Sequence, residues 1–474
     1  MKFKTIKYSN QYLAKTLFKR TLLFILFLVT ICFGFWYLNI FQSLMQGQYS
    51  WWYLSPIVLS VLLTGLVGWG VFWFYKHYAP EHSDFISKYL KTVELRQMIS
   101  LLVVSKGFFD TETAENNTYL TYYPKLKIKV KHMTGQLLIE EPIDGEKYMA
   151  QFASGDFDQS VETALLADRQ TTEFMKNKMI STFAFEPIKF RRQLLALQPQ
   201  KGRLQLAKGI DWKYDTFYNA LISGNVGTGK SYTIFAVLGQ LLQLTKYVDI
   251  IDPKRSDLAS LKYIDALKGR VHSTPTEINQ AVIKYYQNMM ARAEKMEKIK
   301  STGKIGTYKD YHFDPCFLVF DEFGAYREMN DRLSFSDPAY EAYQTAMSNL
   351  NEIAMLGREL GFYLIIGMQR PSADSLPMAI RGQLNLRINM GMPTPEIEKM
   401  VFPDNDKQLR PLSSNLKGWG FIKVGDSQVR AFFAPEVPKE FNLHQWLSEQ
   451  IRKRGQVSTY EKEKATQKLI EVVS

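Results

Sequence analysis

A glycine-rich turn set between a short apolar run and a helical one constrains this chain more than any other feature. The turn is Gly224-Asn225-Val226-Gly227-Thr228-Gly229-Lys230-Ser231, which fits the phosphate-binding pattern G-x-x-x-x-G-K-[ST]. Its glycines let the backbone turn tightly and aim successive N–H groups at phosphate oxygens. Phe217 to Ile222 before it reads as a buried strand, and Tyr232 to Leu244 after it reads as a helix whose N-terminus faces the anion. A strand, phosphate loop and helix in that order predict a parallel α/β sheet with a nucleotide at its carboxyl edge. The nucleotide is expected on Gly224, Asn225, Val226, Gly227, Thr228, Gly229, Lys230, Ser231 and Tyr232, with Lys230 reaching the β- and γ-phosphates and the Ser231 hydroxyl on Mg²⁺.

Phosphoryl transfer also needs a carboxylate for the metal and a base for the attacking water. The apolar run Cys316 to Phe320 ends in Asp321-Glu322, 91 residues beyond Lys230. Asp321 fits the metal-side carboxylate and Glu322 the water-activating base, against the plainer reading of an acidic turn after a core strand. A third apolar strand, Phe362 to Met368, delivers Gln369-Arg370-Pro371. Gln369 could sense the γ-phosphate or simply cap the strand. Pro338 to Leu360 is a helical pattern with Arg358 near its end, placed either to reach a neighbouring subunit's site or to lie in solvent.

On these residues the chain resembles the motor core of the FtsK/SpoIIIE DNA translocases. Asp252-Pro253-Lys254, Asp321-Glu322-Phe323, Gly357-Arg358 and Gln369-Arg370-Pro371-Ser372 carry the likeness. Lys417-Gly418-Trp419-Gly420 and Val429-Arg430-Ala431 are similar to the family's closing hairpin. The resemblance covers about residues 205–437. It implies a RecA-like ATPase that uses ATP and Mg²⁺, assembles as a homo-hexameric ring and pulls DNA through a central pore. It also implies Gln369 as sensor and Arg358 as arginine finger, with Arg387 the weaker candidate.

The formal net charge is +12 and the isoelectric point near 9.2. Six basic residues, Lys2, Lys4, Lys7, Lys15, Lys19 and Arg20, precede the first apolar run without an acidic residue among them, and they account for half the excess. Thr21 to Ile40 and Trp51 to Tyr75 are both uncharged, and about 20 such residues suffice to cross a bilayer. Trp36, Tyr37, Trp51, Trp52, Trp73 and Tyr75 lie near their ends as an interfacial belt would. The basic flank predicts a multi-pass protein of the cell membrane with both termini cytoplasmic and a short external hairpin. The first run is too long for a signal peptide, lacks a small-residue cleavage site and is followed by another span. Cys32 and Cys316 are the only cysteines, which supports neither a disulfide framework nor a zinc site.

Between membrane and motor, Asp84 to Val104 has helical spacing. Lys125 to Lys131 alternates lysine with apolar residues and turns at His132–Gly135 into Gln136 to Glu140, a hairpin whose lysine face reads as solvated rather than as a DNA surface. Asp158 to Met179 reads as a helix. Within the motor, Ile283 to Lys309 is a polar helical stretch. Its lysines around Gly303 and Gly306 suit either a pore loop gripping phosphates or an exposed helix end. Arg327 and Arg332 are further pore candidates.

The expected fold class is α/β: a RecA-like P-loop ATPase core with an N-terminal two-helix transmembrane anchor and a small α+β adaptor domain. The boundaries are 1–20 (basic cytoplasmic N-terminus), 21–76 (two transmembrane helices), 77–200 (adaptor), 201–440 (motor) and 441–474 (charged tail). The two spans, and a tail of about thirty residues too short for a winged-helix module, resemble the FtsK-like coupling proteins of Gram-positive conjugative elements. The expected partners are therefore DNA, a relaxase (relaxosome), type IV secretion channel proteins and the membrane. A double-stranded DNA translocase for chromosome or plasmid partition is the enzymatic alternative. A nucleotide-binding membrane receptor without hydrolysis is the alternative of another class.

Overall fold

A computed structural model describes residues 3–454 apart from 48–49, 78–84, 115–116, 144–146, 166, 186, 335, 406–408 and 413–416. The chain forms two compact units, Met1–Glu186 and Pro187–Ser474.

The first unit combines apolar helices with a small antiparallel sheet. Its helices are α1 (Leu13–Cys32), α2 (Gly34–Met45), α3 (Ser55–His77), α4 (Phe85–Ser105), α5 (Met149–Ala153) and α6 (Asp156–Leu165). Its strands are β1 (Lys4–Thr5), β2 (Asp110–Ala114), β3 (Asn117–Tyr122), β4 (Lys127–Lys131), β5 (Gln136–Pro142), β6 (Asp168–Met175) and β7 (Lys178–Ala184). Five of these strands make one sheet in the order β1-β4-β5-β7-β6. The alternation in β4 buries Ile128 and Val130 and turns the lysines outward, and β4 pairs with β5 as the hairpin pattern predicts. The lysine face is partly neutralised, since Lys127 Nζ donates to Glu140 at 2.7 Å, while Lys129 lies over the Phe3 ring, 5.8 Å from its centroid.

Three expectations need correction here. The basic N-terminus is no separate segment. Lys4 and Thr5 pair with Ile128 and Lys127, Ile6 is buried in the core, and Ser100 Oγ donates to the Lys7 carbonyl at 3.0 Å. The helix expected over Asp158 to Met179 ends at Leu165. Beyond it, Thr171, Thr172 and Phe174 lie in β6, where β-branched and aromatic residues fit a hairpin with β7. The uncharged run from Thr21 to Ile40 is not one helix, because Tyr8–Ile31 and Gly34–Met45 meet at 60°. The Thr30 hydroxyl bonds back to the Leu26 carbonyl just before the break, and a glycine opens the next helix.

Trp51–Gly70 is long and apolar enough by itself to cross a membrane, while the first stretch qualifies only as the bent pair. The apolar helices touch. Phe18 meets Phe72 edge to face at 6.4 Å, and Tyr37 Oη donates to Ser60 Oγ at 2.5 Å.

The second unit is built on an eight-stranded sheet. Its strands are β8 (Leu204–Ala207), β9 (Ile210–Trp212), β10 (Ala220–Gly224), β11 (Val248–Ile251), β12 (Val271–His272), β13 (Cys316–Phe320), β14 (Phe362–Met368), β15 (Leu386–Met390), β16 (Trp419–Val424) and β17 (Arg430–Phe433). The order is β12-β11-β13-β14-β10-β15-β16-β17, with β8 and β9 forming a separate hairpin. Pairing is parallel from β12 to β15 and antiparallel from β15 to β17. The helices are α7 (Lys230–Leu244), α8 (Pro275–Lys300), α9 (Phe323–Asn330), α10 (Pro338–Leu360), α11 (Met378–Arg381), α12 (Pro395–Val401) and α13 (Leu443–Arg452).

The central strands β13 and β14 are wholly apolar and β10 and β11 nearly so, because both sheet faces are covered. Ile222, Ile250, Val319 and Ile365 join Leu238 and Trp446 on one face; Leu221, Ile251, Leu318 and Ile366 join Tyr285 and Ile353 on the other. Local signals set the helix ends. Thr274 and Glu277 form a capping box on α8, and α10 runs from the Asp337 cap and Pro338 to Gly361 at φ +72°. The polar helix expected to reach Lys309 stops at Lys300. The expected charged tail begins later than Asn442, since α13 packs on α7 with Trp446 buried; residues 455–474 lie outside the described residues.

Candidate nucleotide site

The phosphate loop joins β10 to α7, and β10 ends two residues later than the apolar run suggests because Ser223 and Gly224 continue the parallel pairing with Asn389 and Met390. Gly224 sits at φ +153°, and a Cβ there would stand 2.8 Å from Met390 Cβ and 2.9 Å from its carbonyl oxygen. Gly229 is the residue before α7, at φ +106°. No other residue type takes both positions without strain. Inside the loop Thr228 Oγ1 donates to the Asn225 carbonyl at 2.7 Å.

Lys230 begins α7 and is nearly buried. Its Nζ donates to Asp321 Oδ1 at 2.5 Å and to Glu322 Oε1, so the two motifs 91 residues apart meet. Two carboxylates beside a buried ammonium compensate a charge that burial alone would expel. Burial raises the Asp321 carboxyl above its ordinary value, and Lys230 opposes that shift. Glu322 adopts φ +52° and ψ +49°, a left-handed conformation unusual for a residue with a side chain, and its other oxygen accepts from Lys254 Nζ at 2.9 Å.

A cavity of about 590 Å³ opens over the loop. Gly224 to Gly227, Gly229 to Tyr232, Asp321, Glu322 and Gln369 all line it. Thr228 braces the loop from behind. Ser231 and Asp321 supply the hydroxyl and carboxylate oxygens that could hold a hard divalent cation. Among the described residues there is no group of three or more His, Cys, Asp or Glu side chains set to bind a metal by themselves.

Other wall residues had no motif to reveal them. Pro435, Val437 and Phe441, from the segment after β17, give one side an apolar surface suited to a base. Arg191 adds a cation, its Nε donating to the Ala434 carbonyl at 2.9 Å, and Lys417, from the quoted closing-hairpin stretch, adds another. Lys254 belongs to a quoted motif, but its partner follows from the parallel pairing of β11 with β13, which no local pattern announces.

Not every candidate gathers here. Arg358 is exposed on α10, its guanidinium 5.3 Å from the Tyr218 ring centroid, and it does not line the cavity. Arg387, the weaker finger candidate, is half-buried and donates to the carbonyls of Leu384, Val401 and Arg381 within its own chain, and burial lowers its pKa. Of the pore lysines, Lys300 pairs with Glu359 and Lys309 with Asp215, while Lys304 forms no ion pair among the described residues. Arg327 donates to the Asp374 carbonyl, and Arg332 is exposed.

No protein-family model matches the chain. It is 26% identical over 402 residues to the Ftsk domain-containing protein YdcQ of Bacillus subtilis, covering 83% of this chain and 79% of YdcQ. It is 27% identical over 177 residues to the DNA translocase SpoIIIE of the same organism, covering 35% of this chain and only 22% of SpoIIIE. Among solved structures it is similar to the pCW3 conjugation coupling protein TcpA in its monomer form with ATPγS, at 18% identity and a TM-score of 0.45 over 75% of this chain and 99% of that one. With the nucleotide-loop, carboxylate and glutamine motifs in this order, the chain is similar in sequence to P-loop ATPases of the FtsK/SpoIIIE kind.

Proposed function

We propose that this protein is a membrane-anchored, ATP-driven DNA translocase acting as a coupling protein, which delivers relaxase-bound DNA to a conjugative type IV secretion channel. The convergence of Lys230, Asp321, Glu322 and Gln369 on one phosphate-loop cavity carries the motor part of this reading. The loop N–H groups and Lys230 bind the β- and γ-phosphates of ATP. Ser231 and Asp321 would hold Mg²⁺, which supplies charge neutralisation at the transferring phosphoryl group. Glu322 orients the attacking water and takes its proton, and Gln369 contacts the γ-phosphate from the end of β14. Arg358 completes the site of a neighbouring subunit in a homo-hexameric ring around DNA.

The anchor reading is supported by the first unit. β1 precedes both apolar stretches and β4 follows them, yet the two strands pair. The chain must therefore leave the adaptor and return to it, as a two-span hairpin with both ends cytoplasmic does. The two spans and adaptor ahead of the motor favour a coupling protein over a partition motor.

The direct test is ATP hydrolysis by the full chain in detergent with and without DNA. Hydrolysis no faster than that of Lys230→Ala would leave the nucleotide-binding receptor. Mixing Lys230→Ala with Arg358→Ala tests the ring: two inactive variants that regain activity together share sites between subunits. Co-purification with a relaxase, and loss of conjugation on gene deletion with division unaffected, separates coupling from partition.

A further inference from the structure

Glu322 is the reacting base of the proposed hydrolysis, yet both its oxygens are turned toward cations: Oε1 toward Lys230 and Oε2 toward Lys254, whose Nζ stands at 2.9 Å. The two contacts differ in what can release them. Nucleotide phosphates entering the loop recruit Lys230, which frees Oε1. Lys254 lines the same cavity, but its exposed side chain is also open to an anion arriving from outside the phosphate loop.

Lys254 lies on the loop that follows β11, the neighbour of β13, and this loop is held firmly. Asp252 is fully buried, and its Oδ2 accepts from Ser256 Oγ at 2.8 Å and from the Ala259 N–H at 3.0 Å. Arg255 takes a left-handed turn at φ +53°. The Lys254 side chain is 41% exposed where the Glu322 side chain is 8% exposed, so the lysine is open to a large anion that cannot reach the glutamate. Arg255 beside it is exposed and has no ion pair among the described residues. A sugar–phosphate backbone passing this loop meets two adjacent cations, one already committed to the base and one free.

We infer that Lys254 is a positioning residue that restrains Glu322 until a DNA phosphate draws the lysine away, so that DNA occupancy licenses ATP hydrolysis. This rests on the ATPase reading above and adds the coupling device to it. Nucleotide binding alone releases one carboxylate oxygen; DNA releases the second, and Glu322 can then turn to the water.

The test measures phosphate release by the full chain in detergent, without DNA and with either linear duplex or a single-stranded oligonucleotide, for wild type, Lys254→Ala and Lys254→Arg, with thermal melting as the folding control. For Lys254→Ala the expected result is a DNA-free kcat raised about two- to fivefold, the scale of a partly exposed ion pair, with the stimulation ratio falling toward one and KM for ATP unchanged. Lys254→Arg should keep low basal activity and DNA stimulation. A raised KM with the stimulation ratio intact would make Lys254 a nucleotide ligand and overturn the inference. So would an unchanged basal rate and ratio, or a wild type that hydrolyses ATP equally with and without either DNA. Wild-type hydrolysis no faster than Lys230→Ala would instead remove the ATPase reading itself.

Discussion

Gly367 faces Asp321 across adjacent parallel strands so closely that a Cβ on it would stand 2.2 Å from Asp321 Oδ1 and 3.0 Å from Ile234 Cδ1. The carboxylate that meets Lys230 thus occupies space that only a glycine on β14 leaves free. Gly367→Ala should displace Asp321, and misplacement by about 1 Å at a catalytic centre costs on the order of a hundredfold in rate. The expected outcome is a fall of that size in phosphate release at saturating ATP, with a stability loss of about 1–3 kcal/mol for the overpacked site. Unchanged hydrolysis in a folded variant would show that Asp321 needs no fixed position.

Glu322→Gln keeps the shape of the side chain and removes the base. General-base contributions are about 10²–10⁴-fold, so hydrolysis should fall within that range while nucleotide affinity stays within a few-fold. Stopped-flow binding of a fluorescent ATP analogue, set beside steady-state turnover, separates the two effects. A loss of binding equal to the loss of turnover would assign Glu322 to holding the nucleotide.

Trp446 of α13 lies over Gly239 of α7, where an added Cβ would come within 2.1 Å of the indole ring. Gly239→Ala should therefore cost about 1–3 kcal/mol by overpacking, although alanine favours a helix interior over glycine. Trp446→Ala should cost about 3–5 kcal/mol through the cavity it leaves. Denaturant unfolding of both variants checks the order. A stabilised Gly239→Ala would mean that α13 does not seat on α7 in solution.

Glu141 in β5 is fully buried, with neither carboxylate oxygen hydrogen-bonded to a donor, and burial together with nearby Asp158 raises its pKa well above the ordinary glutamate range. The folded state therefore holds its proton more tightly than the unfolded chain does. Its stabilising contribution is complete below the unfolded glutamate pKa of about 4.3 and is lost as pH rises through the folded value. Glu141→Gln supplies a permanent donor toward Asp158 and should melt higher than wild type at neutral pH, by about 1–2 kcal/mol. The difference should shrink on acidification. A gap independent of pH between 4 and 8 would refute the assignment.

The motor was legible because its signals are local. Cys316–Phe320, Phe362–Met368 and Pro338–Leu360 begin and end where the apolar runs, the Asp337 cap and Gly361 indicate. A phosphate loop is a contiguous backbone shape, so its residues announce themselves. The partners of those residues do not. Lys254 reaches Glu322 only because β11 and β13 are neighbours, and Pro435, Val437 and Phe441 reach the cavity only after the chain has crossed the sheet. The adaptor misled for a related reason. The stretch from Asp168 to Met175 alternates weakly because no residue of β6 is buried, and helical spacing carried over from α6 hid the strand. At the N-terminus, six cations masked the single buried apolar residue, Ile6, that ties the segment into the sheet.

The pairing of β1 with β4 has a mechanical consequence. An anchor attached at one end is a tether, free to swivel about its single root. Here the apolar hairpin is a loop spliced between two strands of one sheet, rooted at both ends. In the translocase proposed above, a motor hauling on helical DNA would experience torque as well as tension, and a doubly rooted anchor would resist both. It also means that excising the hairpin by starting a fragment at residue 85 would strip an edge strand from the adaptor, so a soluble version should join residue 12 to residue 85 through a linker instead.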